Sequence, residues 1–331
     1  MNFPQPVIYG IGNPLIDLVI SVTDEDLSNL KIEKGVMQLV DEKHQKEILS
    51  YFKDITAISH PGGSAPNTMV ACSGLGVPSL IAGKVGKDHF GDTYIKQAEK
   101  YGVISGLVQG DGVTGSSIIL VTPDGERSMN THLGMCREFS EHDIDVNKLS
   151  NSNFFYFTGY MWDTNSQKTA IKKAIQIAHE KNVKIIFDIA DPFAVERNKE
   201  AFLSMINADV DVVFANQAEL SILFGTEDYH SAADQLGAIV DIAGIKLGKD
   251  GSLVIDKGVK SKLPPRPILA TDSTGAGDMY AAGFLASLSK GHSPKKAGKI
   301  GGYLAEEIIQ GFGAQFELEQ IQELRSKVLN N

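Results

Sequence analysis

Only two cysteines occur in the 331 residues, Cys72 and Cys136, far apart and in no metal-ligand spacing. A reducing cytoplasm is a simpler reading than a structural disulfide, which the spacing alone does not exclude. No apolar run approaches the roughly 18 residues of a membrane helix. The stretch Met1–Pro6 has no basic segment followed by an apolar one, so no signal peptide is expected. Positive charge is also short: the net charge of −10 argues against broad nucleic-acid or anionic-membrane binding, which wants a basic face. Any nucleotide must then be held by local backbone donors and a metal, against an unfavourable overall field. No internal repeat and no low-complexity linker is present, and the length suits one large α/β domain or two smaller ones.

Several phosphate and metal motifs are missing as well. There is no G-x-x-x-x-G-K-[ST] loop. Gly10-Ile11-Gly12 begins like a dinucleotide fingerprint, but Leu15 stands at the third glycine position. His89-Phe90-Gly91 is not the D-F-G of protein kinases, and no H-R-D accompanies it. Neither an H-E-x-x-H nor a His/Cys cluster suggests zinc.

What is present is an alternation of short apolar runs with helical patterns in the second half. Residues 154–158 read as a strand, and 166–181 as a helix with Ala170, Ile171, Ala174, Ile175 and Ala178 on one face. Residues 183–189, 210–215, 242–247 and 253–255 continue the strand series, a helix spans about 217–224, and Gly291 suits a helix C-cap. Apolar strands alternating with helices signal a mainly parallel sheet covered on both faces. The first part differs. Residues 7–12, 15–22 and 35–40 read as strands with no long helix between the last two, and 115–122 and 127–133 form a hairpin over the turn Pro123-Asp124-Gly125-Glu126. These strands suit a small separate sheet over the C-terminal edge of the main one, placed to act as a water-excluding lid. The alternative is that they extend the main sheet.

The most informative segment is Asp272-Ser273-Thr274-Gly275-Ala276-Gly277-Asp278, running into the helical pattern from Met279 to Leu285. Small residues let the backbone approach a ligand, and the first N–H groups of a helix lack intrahelical partners. Together with the helix dipole they seat a phosphate. An acceptor-only carboxylate beside that seat suits a base that takes a proton from an attacking hydroxyl, which points to a kinase. A second segment, Gly62-Gly63-Ser64-Ala65-Pro66-Asn67, leads into a helix over 68–74 and offers hydroxyl and amide groups suited to sugar hydroxyls. After the first strand, Gly12-Asn13-Pro14-Leu15-Ile16-Asp17 adds an amide and a carboxylate where open α/β sheets bind ligands. Each segment alone has a plainer reading, as a glycine turn, a helix cap or a solvated loop.

Residues 62–67 and 272–278, in this order and separation, resemble the two signatures of the ribokinase (PfkB-type) carbohydrate kinase family, and the resemblance spans nearly the whole chain. It implies one α/β, ribokinase-like three-layer sandwich over 1–331, with a central mainly parallel sheet and a discontinuous β-sheet lid from about 15–43 and 113–134. It also implies transfer of the ATP γ-phosphate to a primary hydroxyl. By position, Asp278 resembles the family's base, and Gly275, Ala276 and Gly277 its anion hole. Asn216 and Glu219 are similar to an N-x-x-E element that places magnesium and its waters, for which an exposed helix start is the plainer alternative. Gly248 and Gly251 resemble the nucleotide loop, and Arg127 an arginine that reaches the active site, with a surface salt bridge as its alternative. Magnesium is expected to be held mainly by ATP phosphates and water, without dedicated protein ligands, and K+ is a candidate cation beside Asp272.

Within the family the resemblance leans to the adenosine kinase-like branch, on Asn13-Pro14-Leu15-Ile16-Asp17, on Ser64, and on Arg127-Ser128-Met129 with Leu133. It implies that Asn13, Asp17, Gly63, Ser64 and Asn67 bind the ribose, while Met129 and Leu133 line a purine pocket and Tyr160 stacks on the base. Tyr160 and Phe193 are also readable as plain core aromatics. Ala65-Pro66 departs from the branch toward the sugar-kinase pattern. Another nucleoside or a free sugar is therefore the alternative acceptor, and a non-catalytic nucleoside-binding protein the remote one. The partners expected are ATP and a small nucleoside or sugar, without nucleic acid or membrane, for a monomer or homodimer.

Overall fold

A computed structural model describes residues 5–55 and 57–329. The first four residues of the Met1–Pro6 stretch therefore lie outside the described residues.

Fourteen strands are described: β1 (Ile8–Ile11), β2 (Leu15–Ser21), β3 (Met37–Leu39), β4 (Ile58–Gly62), β5 (Ser79–Gly86), β6 (Ile104–Gly110), β7 (Ser116–Val121), β8 (Arg127–His132), β9 (Phe154–Thr158), β10 (Lys184–Asp188), β11 (Val212–Asn216), β12 (Ile242–Lys246), β13 (Ser252–Asp256) and β14 (Val259–Leu263). Nine form the main sheet, in the order β14-β13-β12-β11-β10-β9-β1-β5-β6. Its strands from β6 to β12 pair in parallel, and only β13 and β14 run antiparallel at one edge. Parallel strands need both faces covered, which is why they read as continuous apolar runs. In β9 the alternation is visible: Phe155 and Phe157 join one core with Phe187 and Phe202, while Tyr156 joins the opposite core with Phe214, Met279 and Phe284.

The helices that matter to the site are Ser64–Gly74 and Ala276–Ser289, which pack against each other on one face of the main sheet. Both are rich in small residues, and Gly283 shows why. A Cβ there would stand 2.9 Å from the Cα of Gly301 in the next helix, so the close helix packing depends on glycine. The main-sheet strands end at Asp188, Asn216 and Lys246, the carboxyl edge where open α/β sheets place their ligands.

The remaining strands make a five-stranded sheet, β3-β8-β7-β2-β4, none of which pairs with the main sheet. One of them, β4 at Ile58–Gly62, lies outside the 15–43 and 113–134 segments. His60-Pro61-Gly62 reads as a strand breaker, but Pro61 is tolerated here because β4 is an edge strand, needing no N–H on its open side. In-register partners share a sheet face. Asp17, Ser117 and Thr131 form one cross-strand row, and Val19, Ile119, Met129 and Met37 the next. The other face carries Ile16, Leu18, Ile20, Ile118 and Leu120, packed against Leu27, Ile48, Phe52 and Tyr94 from helices. Cys72 and Cys136 are free and buried. No helix among the described residues is long and apolar enough to cross a membrane.

Candidate active site

Asp278 sits in the first turn of the helix Ala276–Ser289, whose N-cap is Gly275. Gly275 adopts φ +77°, and a Cβ there would fall 2.6 Å from the Cα of Ala314, so conformation and space both demand glycine. The Asp278 carboxylate is gripped by neutral donors from the other helix: Ser64 Oγ donates to one oxygen at 2.6 Å and Asn67 Nδ2 to the other at 2.9 Å. Burial pushes its pKa up to about 6, against the pull of those two hydrogen bonds and of Lys246, with Asp188 adding to the rise. The two glycine-rich segments, more than two hundred residues apart in the chain, thus meet at one carboxylate.

Asp17 lies beside this group. A Cβ on Gly62 would stand 2.2 Å from its Oδ2, so glycine at 62 makes room for the carboxylate. Burial raises Asp17 to about 7, relieved by the Arg127 guanidinium and aggravated by Asp278, with no hydrogen-bond donor among the causes. Gly63, at φ +98°, passes so close to Asn13 that a Cβ would strike its carbonyl oxygen at 2.0 Å. Asn13 is buried, and its Oδ1 accepts from Gln167 Nε2 at 2.8 Å. Tyr160 follows β9, its hydroxyl 3.5 Å from the Ala190 carbonyl oxygen. Burial lifts its pKa strongly, with the carboxylates of Asp191, Asp278, Glu219 and Asp188 adding to it. Phe193 is 45% exposed, so it is not a core aromatic; it lies in the first turn of a helix capped by Asp191. Met129 shares a sheet face with Arg127, two residues along β8, whereas Leu133 lies past the end of β8 and is buried.

Arg127 does not touch Asp278. Its guanidinium spans from β8 to the glycine-rich loop, donating to both oxygens of Asp272 at 2.8 and 2.7 Å and to the Thr274 hydroxyl. The pair is largely buried rather than a surface bridge. Burial works against the Asp272 charge, yet the Thr274 hydroxyl, the amides of Gly313 and Thr274, and Arg127 hold its pKa below the ordinary range.

On the other side of the helix start lies a group that the motifs did not reveal. Lys246 Nζ donates to Asp188 at 3.0 Å, and both side chains are nearly enclosed. Burial disfavours the ammonium, but Asp188 and Glu219 outweigh it and hold its pKa up. A Cβ on Gly277 would stand 3.4 Å from that Nζ, so the ammonium borders the Gly277 backbone at the helix start. Asn216 and Glu219 form a capping box: the Asn216 amide and Nδ2 donate to the two Glu219 oxygens at 2.8 and 2.6 Å. Glu219 is 1% exposed, although Ala218 beside it in the same turn is exposed, so the helix start is open while this carboxylate is buried. Burial lifts Glu219 to about 7, Lys246 opposing. Gly248 and Gly251 flank the turn between β12 and β13, both at positive φ, with open space around Gly248.

Lys246, Asp188, Gln167 and Gln315 escaped the sequence reading. The first two had a usable signal, a charged residue closing an otherwise apolar strand; the glutamines had none.

The family model for "pfkB family carbohydrate kinase" matches residues 36–321. The chain belongs to that family. Among solved pfkB-like structures, an adenosine kinase from Sinorhizobium meliloti is 32% identical, covering 98% of this chain and 99% of that one, with a TM-score of 0.90. A probable sugar kinase from Rhizobium etli CFN 42 is 30% identical over 99% of both chains, with a TM-score of 0.91. The adenosine kinase of Saccharomyces cerevisiae is 28% identical over 94% of this chain and 97% of its own length. The fold is therefore ribokinase-like, and the protein is an adenosine kinase-like phosphotransferase with an alcohol group as acceptor.

Membership of the pfkB family implies ATP, with magnesium. The residues present suit a polyphosphate: a helix start, the Lys246 ammonium bordering Gly277, and a buried Arg127 Nε that has no partner. Among the described residues no group of three or more His, Cys, Asp or Glu could hold a metal ion.

Proposed function

We propose that this protein transfers the γ-phosphoryl group of ATP to the 5′-hydroxyl of adenosine, with Asp278 as the base. The observation that carries the reading is the Asp278 carboxylate, ionisable near neutrality, held by two neutral donors at a helix start that suits phosphate. A carboxyl near 6 is mostly ionised at neutral pH and still basic enough to take the hydroxyl proton as the oxygen attacks. In-line attack itself needs mainly positioning and charge neutralisation.

The acceptor is read from the face of the five-stranded sheet that carries Asp17 and Arg127. Its polar row of Asp17, Ser117 and Thr131 suits ribose hydroxyls, with Asn13, Gly63, Ser64 and Asn67 across from it. The adjoining apolar row of Val19, Ile119, Met129 and Met37 suits a purine, and a free sugar would leave it unused. Tyr160 and Leu133 complete the pocket, and the sheet serves as its lid. Gly275, Ala276 and Gly277 would form the anion hole, while Gly248 and Gly251 border the nucleotide. Bound magnesium would neutralise phosphate charge, with Asn216 and Glu219 reaching it through water. Asp272, beside which K+ is a candidate, already has both oxygens engaged by Arg127, Thr274 and Gly313, so the reading needs no monovalent cation there.

The resemblance to a probable sugar kinase supports a second reading, a free-sugar acceptor. ADP release from Mg·ATP with adenosine, inosine, guanosine, cytidine, ribose and fructose separates the two. Adenosine is expected to be turned over best, yielding AMP. Turnover confined to ribose or fructose would keep the kinase and overturn the purine pocket.

A further inference from the structure

The segment 311–316, between the last two helices, touches the site at three points. The Gly313 amide donates to Asp272 Oδ2 at 3.0 Å. Ala314 packs on the Gly275 turn. Gln315 Nε2 donates to Pro61 O at 3.1 Å and to Asn67 Oδ1 at 2.8 Å.

The last pair of bonds fixes a direction. A backbone carbonyl can only accept, so the Gln315 amide must turn its NH2 toward Pro61, on the edge strand β4. The same NH2 has a second hydrogen, which meets Asn67 and requires its oxygen to face Gln315. Asn67 Nδ2 is thereby left facing Asp278, where it donates to Oδ2. Were the Asn67 amide reversed, its oxygen would confront the Asp278 carboxylate, two acceptors with no proton between them.

We propose that Gln315 is a positioning residue for the base: it sets the orientation of Asn67, and through it the alignment and ionisation of Asp278. This rests on the reading of Asp278 as base. Gln315 itself hydrogen-bonds Pro61 and Asn67 and not Asp278.

Other groups also act on Asp278 and must be kept apart from this effect. Asp188 on β10 and Lys246 on β12 act on it directly by charge. Asp17 on β2, Tyr156 on β9 and Tyr160 after it are coupled to it. Ser64 hydrogen-bonds the other oxygen. Because Asp17 also titrates near 7, a kinetic profile alone would mix two carboxyls.

The discriminating variants are Gln315→Glu and Gln315→Met. Glutamate keeps the length but offers only acceptors when ionised, so Asn67 must turn its NH2 to residue 315 and its oxygen to Asp278. Methionine keeps the volume and removes the bond without forcing the reversal. The full-length protein is labelled with 13C at aspartate Cγ, the Asp278 resonance is assigned by its loss in Asp278→Asn, and its titration is followed together with kcat.

The expected result for Gln315→Glu is an upward move of the Asp278 midpoint by about one pH unit. At pH 6 that lowers kcat by about fivefold, with recovery toward wild type by about pH 9 as Asp278 ionises again. KM for ATP should stay within about twofold of wild type, since ATP binding does not use this bond. Gln315→Met should move the midpoint in the same direction by less, and it carries the test, because a glutamate at 315 also raises Asp278 directly by its charge. An unmoved Asp278 midpoint in the folded variants, or a loss of kcat equal at every pH, would overturn the proposal. A midpoint that moves while Asp278→Asn still turns over would instead leave the positioning intact and remove Asp278 from the role of base.

Discussion

Two carboxylates stand at the mouth of the main sheet, Asp188 buried and Asp278 half-buried, and they are held in opposite ways. Asp278 is gripped by a hydroxyl and an amide, neither of which carries charge. Asp188 closes β10 against the Lys246 ammonium, with the Tyr156 hydroxyl at 3.5 Å as a further donor. Neutral donors leave Asp278 free to gain and lose a proton near neutrality, with burial lifting it to about 6. For Asp188 burial also raises the carboxyl, with the Lys246 ammonium pulling against it, while Asp188 and Glu219 hold Lys246 charged. One carboxylate is held by uncharged donors alone, and the other keeps a cation beside the Gly277 backbone. Closely packed helix starts allow the first, and the ends of buried parallel strands allow the second.

The largest effect on this contrast should come from breaking the charged half. Lys246→Met leaves Asp188 and Glu219 buried without their cation, which should destabilise the fold by about 3–5 kcal/mol. Urea unfolding measures it. The double variant Lys246→Met with Asp188→Leu should recover much of the loss, because the pair is then replaced by apolar groups. A Lys246→Met protein as stable as wild type would mean that Asp188 simply takes up a proton.

A smaller effect sharpens the comparison from the side of Asp17, which has neither neutral donors nor an ammonium in direct contact. Because burial lifts its carboxyl to about 7, the folded chain binds that proton more tightly than the unfolded chain. Ionising Asp17 therefore costs stability as pH rises from the ordinary carboxylate value to about 7. Asp17→Asn should raise Tm by a few degrees near pH 8, and the gain should shrink as the pH is lowered toward 5. A gain that is the same at both ends would locate the effect in packing instead of charge. The same variant should weaken acceptor binding, visible as a raised KM.

The sequence made the two halves unequally legible. The Asp278 site could be read because glycine and small-residue runs are rare enough to stand out, and both runs proved to converge on one carboxylate. The strand series of the second half was readable from apolar runs, whose ends fell within two residues of the observed strands. Nothing comparable marks Gln315 or Gln167, since a single glutamine has no periodicity and acts through a partner remote in sequence. Strand β4 was hidden by its own proline and glycine, which signal a turn unless the strand is known to lie at an edge. Lys246 and Asp188 were in plain view as charged ends of apolar strands, but their pairing is set by sheet order, which the sequence does not state. Phe193 shows the reverse error: an aromatic readable as core is exposed in the first turn of its helix.

The most direct test of the account is Asp278→Asn, measured for turnover of adenosine and for Mg·ATP binding in the same preparation. The account predicts that kcat falls by ~10²–10⁴-fold, the range for loss of a catalytic base, while ATP affinity changes little. Turnover close to wild type in a folded Asp278→Asn protein would contradict it.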